Sequence, residues 1–163
     1  MIALIDTPAH KPIPAQMDCC VVLEDIQDPG NLGSILRSAA AAGCDAVFLS
    51  KGCADVWSPK VLRGGMGGHF ALSVHERVDL LTVAAEFPGK LLAASLHAKT
   101  SLYDCKLGGK LAFAVGNEGT GLSPTLLAAV NQQVVIPMPG NMESLNVAAA
   151  ASICLFEAVR QRR

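Results

Sequence analysis

CCVVLEDIQDPGNLGSILRSAAAAGCDAVFLS, residues 19–50, holds a complete supersecondary unit in about thirty residues. Val21-Val22-Leu23 is a short apolar run ended by Glu24-Asp25, the mark of a buried strand. Asp28-Pro29-Gly30 is a turn. Leu32, Ile35, Leu36, Ala39 and Ala40 then recur at helical spacing, with Asn31 placed to cap the helix and Gly43 placed to stop it. Residues 46–50 form a second apolar run. Strand, turn, helix and strand in this order predict a βαβ unit with parallel strands.

Outward from this unit the alternation continues. Residues 1–18 carry Pro8, Pro12 and Pro14 among polar residues and read as an extended lead-in. On the other side, residues 58–63 predict one or two helical turns that run into Gly64-Gly65-Met66-Gly67-Gly68, which reads as a mobile loop. A strand at 70–74, a helix at 76–86 and a strand at 91–95 follow. The last third is sharper: a strand at 111–115, a helix at 123–130, a strand at 134–136 and a long helix over 144–160. The whole predicts one α/β domain over 19–163, a mostly parallel sheet flanked by helices, with its sites at the carboxyl ends of the strands.

Composition narrows the function. Of 163 residues, 51% are hydrophobic and 17% charged, which excludes disorder. Aromatics make up 4%, too few for a reader that stacks several bases on aromatic faces. The net charge of −1 gives no sequence-wide basic field to hold nucleic acid. Lys51, Lys60, Arg63, Arg77 and the Arg160-Gln161-Arg162-Arg163 tail read as solvated charges. The chain opens without a secretory signal, because Asp6, Pro8 and His10 break the first apolar residues. Its longest apolar run, 147–156, is short of a membrane span. Six cysteines show no CxxC pair and no histidine at zinc spacing, so they read as buried thiols in a reducing compartment, with no metal site.

Three polar loops follow three of the strands and gather most of the functional groups: residues 25–37, 116–123 and 136–147. Their glycines do not make a dinucleotide fingerprint. Gly116, Gly119 and Gly121 are spaced GxxGxG, and Gly119-Thr120-Gly121 would need a glycine where Pro124 stands. A Walker lysine is missing as well. Taken singly, each loop has a plain structural explanation. Asn31, Ser144 and Asn146 suit helix caps, Gly119 and Gly121 suit a tight turn, and Arg37 lies off the apolar stripe as a solvated charge. Glu118 is the exception, since a turn between glycines needs no carboxylate.

Together the loops resemble the SpoU branch of the SPOUT RNA methyltransferases, of the SpoU/TrmH type. The residues that carry the resemblance are Asn31-Leu32-Gly33 with Arg37, then Gly116-Asn117-Glu118-Gly119 with Gly121-Leu122-Ser123, then Ile136-Pro137-Met138 with Ser144-Leu145-Asn146-Val147. The match runs from about Val21 to the C-terminus. It implies a deep C-terminal trefoil knot and an enzyme that methylates ribose 2′-hydroxyls of RNA with S-adenosyl-L-methionine, releasing S-adenosyl-L-homocysteine. By matching positions, Gly116, Asn117, Gly119, Ile136, Pro137 and Leu145 hold the cofactor, with Leu96 and Met138 nearby. Arg37, Asn31, Glu118, Ser144 and Asn146 form the catalytic set. A guanidinium rarely gives up a proton, so Arg37 is read as stabilising developing alkoxide, with Glu118 as a proton acceptor.

Members of this family often carry an accessory RNA-binding domain before the catalytic one; here only the lead-in stands before residue 19, as expected either of a bare catalytic domain or of a chain that has lost its front. The ending Leu155-Phe156-Glu157-Ala158-Val159-Arg160 resembles the enzymes that act on guanosine of 23S rRNA. A tRNA ribose methyltransferase and a non-catalytic cofactor-binding module remain the alternatives. The unpaired thiols point to the cytoplasm, and the resemblance further implies a homodimer, paired through the last helix and the first motif, in which Arg37 of one subunit approaches the cofactor of the other.

Overall fold

Every residue of the first strand, β1 (Cys19–Leu23), is buried. A run such as CCVVL reaches that state only when both faces of its sheet are covered, as in parallel α/β sheets. In the computed structural model, which describes residue 6 and residues 16–162, β1 lies inside a seven-stranded sheet. The other strands are β2 (Ala46–Leu49), β3 (Ser73–His75), β4 (Lys90–Ala94), β5 (Thr100–Ser101), β6 (Leu111–Val115) and β7 (Gln132–Val135). Their spatial order is β3-β2-β1-β6-β4-β7-β5, and all six pairings are parallel.

Alternation along β1 divides the core. Cys19, Val21 and Leu23 face one layer, formed by α1 (Pro29–Ala41), α2 (Pro59–Gly65) and α6 (Val147–Gln161). Cys20 and Val22 face the other, formed by α4 (Leu80–Glu86) and α5 (Pro124–Ala129). The chain builds outward through β2 and β3, then returns to the other side of β1, where β6 pairs with it. The direction of winding therefore reverses between β1 and β6. Open α/β sheets bind ligands outside the carboxyl ends at such a switch point.

Several sequence-based expectations shift. The cap of α1 is Asp28, whose carboxylate accepts from the Asn31 N–H at 2.8 Å, and not Asn31. Pro29 explains this: its fixed φ suits the first helical position, so the helix starts three residues early. The expected strand at 70–74 begins only at Ser73, because Gly68–Ala71 forms a short helix, α3. Phe70 misled the pattern; its side chain is 67% exposed, whereas His69 is buried with its Nε2 2.9 Å from the Val56 carbonyl. The helix expected from Glu76 starts at Leu80, capped by Asp79. The last helix starts at Val147 instead of 144, capped by Asn146. The strand expected at 134–136 covers Gln132–Val135, and the two-residue β5 was not anticipated.

The glycine stretch 64–68 is not a loose loop. Gly64 and Gly65 end α2, and a Cβ on Gly33 of α1 would lie 2.8 Å from the Val61 carbonyl oxygen and 2.9 Å from the Gly64 Cα. Glycines on both helices thus let two backbones meet directly. The six cysteines are free thiols, four of them buried. The lead-in read at 1–18 falls outside the described residues except for residues 6 and 16–18. Among the described residues no helix is long and apolar enough to cross a membrane.

Candidate active site

Loops after β1 and β6, neighbours at the switch point, are bound together by side chains. Glu24, directly after β1, accepts from the N–H of Ser123 at 2.6 Å and from its hydroxyl at 2.7 Å. Asn117, two residues past β6, donates from Nδ2 to the Asp25 carbonyl at 2.9 Å. Its Oδ1 accepts from the N–H of Gly119 at 2.9 Å and of Thr120 at 3.1 Å, folding 117–121 into a tight turn. The turn closes on Gly116. A Cβ there would collide with the main chain of Gly121 and Leu122, so no other residue fits. Gly121 itself adopts φ +71°, which glycine tolerates without strain.

Glu118 projects from this turn toward the start of α1. Its carboxylate accepts from the N–H of Gln27 at 3.3 Å, the N–H of Asp28 at 3.2 Å and the Asn31 Nδ2 at 3.1 Å. Partial desolvation raises this carboxyl, but the hydrogen bonds from Asn31 and the main-chain N–H groups outweigh it, and the net shift is downward. Glu118 is thereby held as a carboxylate, which makes it a better anchor than base. Asn31 passes the chain on: its Oδ1 accepts from Asn146 Nδ2 at 2.9 Å. Asn146 in turn caps α6 through Oδ1, accepting from Ala148 at 2.9 Å and Ala149 at 3.2 Å. One asparagine therefore serves both the helix and the site.

The loop after β6, together with those after β4 and β7, encloses a cavity of about 240 Å³. Its floor is apolar, from Val115, Leu122, Leu127, Val134 and Ala150, and its rim carries Ser95, His97, Thr120 and Ser144. Of the sequence-predicted residues, Leu96, Gly116, Asn117, Glu118, Gly119, Ile136, Met138, Ser144 and Leu145 all line it. Asn31 and Asn146 join through the Glu118 chain. Pro137 does not line the cavity, and neither does Arg37, which is exposed on α1. Sequence reasoning missed Glu24, whose signal was a carboxylate at a strand end, and His97, which no pattern marked. Among the described residues no group of three or more His, Cys, Asp or Glu is placed to hold a metal.

The cavity accepts an adenosyl group on its own terms. An apolar floor takes a flat ring system, and the segments at Gly116, Ile136, Met138, Ser144 and Leu145 line the cavity beside it.

Comparison with known proteins gives the same picture. Residues 18–156 match the SpoU rRNA Methylase family. The chain is 41% identical over 145 residues to a 23S rRNA (guanosine-2'-O-)-methyltransferase, RlmB, of Xylella fastidiosa, covering 87% of this chain and 58% of that protein. It is 37% identical over 139 residues to the 23S rRNA (guanosine(2553)-2'-O)-methyltransferase RlmP of Bacillus subtilis, covering 83% and 56%. The crystal structure of the SpoU methyltransferase AviRb from Streptomyces viridochromogenes in complex with AdoMet superposes with a TM-score of 0.86 at 33% identity, over 96% of this chain and 66% of that one. The chain thus spans a little over half the length of these curated relatives.

Proposed function

Because the chain belongs to the SpoU rRNA Methylase family, we propose that it methylates a ribose 2′-hydroxyl of RNA with S-adenosyl-L-methionine, the target being a guanosine of 23S rRNA. The observation that carries this reading is the convergence of the loops after β4, β6 and β7 on one cavity, tied to the start of α1 by the Glu118–Asn31–Asn146 chain. The two bacterial relatives named above, each a guanosine 2′-O-methyltransferase of 23S rRNA, support the target.

The cofactor, when bound, supplies a methyl group on a sulfonium, which is transferred by in-line displacement. The residues of this chain orient and shield. The main chain of Gly116, Ile136 and Leu145, with the side chains of Leu96 and Met138, holds the adenosyl part. Asn117 keeps its turn in shape and Ser144 faces the rim. Glu118, held ionised, fixes Asn31 and through it Asn146, so the polar wall has one geometry before substrate arrives. Arg37 lies outside the cavity of its own chain. Its role is therefore exerted across a homodimer, where its guanidinium stabilises the developing alkoxide of the ribose. Supporting a dimer, Phe156 on α6 is 47% exposed, and Met66 and Phe70, at the end of α2 and on α3, are exposed as well. The threaded C-terminus belongs to the same proposal, as does a cytoplasmic location.

Calorimetry and nucleoside mass spectrometry test the reading. S-adenosyl-L-homocysteine is expected to bind one site per chain, and the product nucleoside to be a 2′-O-methylated guanosine. No binding, or methylation on a base, overturns it; a ribose product in tRNA alone moves the target.

A further inference from the structure

A second cavity opens at the carboxyl ends of β2 and β3 and shares no residue with the first. It measures about 200 Å³, with Leu49 and Cys53 below and Lys51, Asp55, Glu76 and Arg77 around it. Such a volume is under that of drug-sized sites and suits one flat heterocycle. Its four charged groups do not pair with each other: the ion pairs among the described residues are Lys60–Asp28 and Arg160–Glu157. Asp55 accepts from the Trp57 N–H at 2.9 Å through Oδ1, and Glu76 from the Trp57 indole at 2.8 Å through Oε2. The other oxygen of each carboxylate has no hydrogen-bond partner among the described residues, and neither cationic head group is engaged in an ion pair among them.

Two open acceptors and two cationic donors, balanced in charge, match a neutral ligand with donors on one edge and acceptors on the other. A phosphate would meet both carboxylates at close range. Among the bases, guanine alone offers adjacent N1–H and N2–H donors on its Watson–Crick edge and the adjacent acceptors O6 and N7 on its Hoogsteen edge. The cavity also lies on the side of the sheet where the first cavity opens. Asp25 joins the two: its carboxylate accepts from the Ser50 hydroxyl at 2.6 Å, and its carbonyl accepts from the Asn117 amide at 2.9 Å. Asp25 and Arg77 both adopt left-handed backbone conformations, φ 54° and 55°, and for non-glycine residues such strain gathers at functional sites.

We propose that this cavity receives an unpaired guanine base of the RNA substrate. The inference rests on the RNA function proposed above and assigns Asp55 and Glu76 to the donor edge, Lys51 and Arg77 to O6 and N7. Inosine has no N2 amine to donate to a carboxylate, so its base is expected to bind more weakly by at least about fivefold, the low end for one two-point base interaction.

The test is an amide-resolved NMR titration with 5′-GMP, IMP, AMP, CMP and UMP, with S-adenosyl-L-homocysteine present to fill the first cavity. GMP is expected to shift the amides of Ser50, Lys51, Ala54 and Arg77 at millimolar concentration, IMP about fivefold more weakly, and the others less still. Asp55→Asn and Lys51→Ala each weaken the GMP response and raise the KM for RNA, with affinity for S-adenosyl-L-homocysteine unchanged. Equal responses to all five nucleotides mean that only phosphate is felt, and overturn the proposal, as does silence of these amides. Failure of S-adenosyl-L-homocysteine to bind strikes the function proposed above and leaves the nucleotide arms readable.

Discussion

Asn146 does two jobs with two atoms, and they separate by substitution. Oδ1 caps α6 and Nδ2 holds Asn31. Asn146→Asp keeps the cap and is expected to leave stability within about 0.5 kcal/mol, because Asn and Asp cap equally well. The same change turns the donor to Asn31 into an acceptor. If the Asn31 amide flips to serve it, the Asn31 oxygen faces the Glu118 carboxylate, so one hydrogen bond is broken either way. Methyl transfer is then expected to fall steeply at unchanged melting temperature. Asn146→Ala removes both functions, including about 1 kcal/mol of cap. Thermal melts beside single-turnover assays check this; equal activity of the Asp variant and the parent chain removes the proposed role of the chain of amides.

Among the elements, the α1–α2 contact and the end of α6 are the most exacting. Gly33 faces main-chain atoms that cannot rotate aside, so Gly33→Ala must push the two helices apart. Overpacking of this kind costs about 1–3 kcal/mol, and here the shift also moves Asn31 and Arg37 on the same helix. Urea unfolding measures the first and activity the second. At the other end, Arg160 grips Glu157 through two bonds at 2.8 and 2.7 Å, and Gln161 adds a third at 2.7 Å. The hydrogen bonds from Arg160, followed by that from Gln161, pull the Glu157 carboxyl from 4.5 to about 2. A depressed carboxylate stabilises the fold above its unfolded value, and the contribution fades as pH falls through the folded one. The stability gap between the parent chain and Glu157→Gln is therefore expected to be full at neutral pH and to narrow between pH 4.5 and about 2. A gap that stays constant over that range contradicts the ion pair as its source.

At the scale of the molecule, one chain assembles a cavity but keeps Arg37 outside it. Arg37→Ala is expected to abolish methyl transfer while cofactor affinity stays within a few-fold. Light scattering at micromolar concentration is expected to give a dimer, burying well over about 1,000 Å². Mixing Arg37→Ala chains with Gly116→Val chains, whose cofactor cavity is blocked, then reports where the arginine works. In the heterodimer one cavity is intact and faces the arginine of the other chain, so activity returns if Arg37 acts across the interface. No return from a confirmed heterodimer places the complete site within one chain.

The α/β class, β1, β6, the first helix and the three polar loops follow from the residues themselves, because buried parallel strands and amphipathic helices write strong periods into a chain. CCVVL and LAFAV could hardly form anything but central strands. Local pattern failed wherever exposure or close approach overrode it: Phe70 is apolar yet solvent-facing, and the glycines at 64–68 read as slack when their missing side chains let two helices touch. The site shows the same division. Glu118, Asn31 and Asn146 are legible as odd polar residues, each with an ordinary local explanation. That they form one hydrogen-bonded chain depends on pairings about 90 to 115 residues apart. Such pairings are set by strand order, which places β6 beside β1, and no local spacing encodes a neighbour that the chain reaches only after folding back through the sheet.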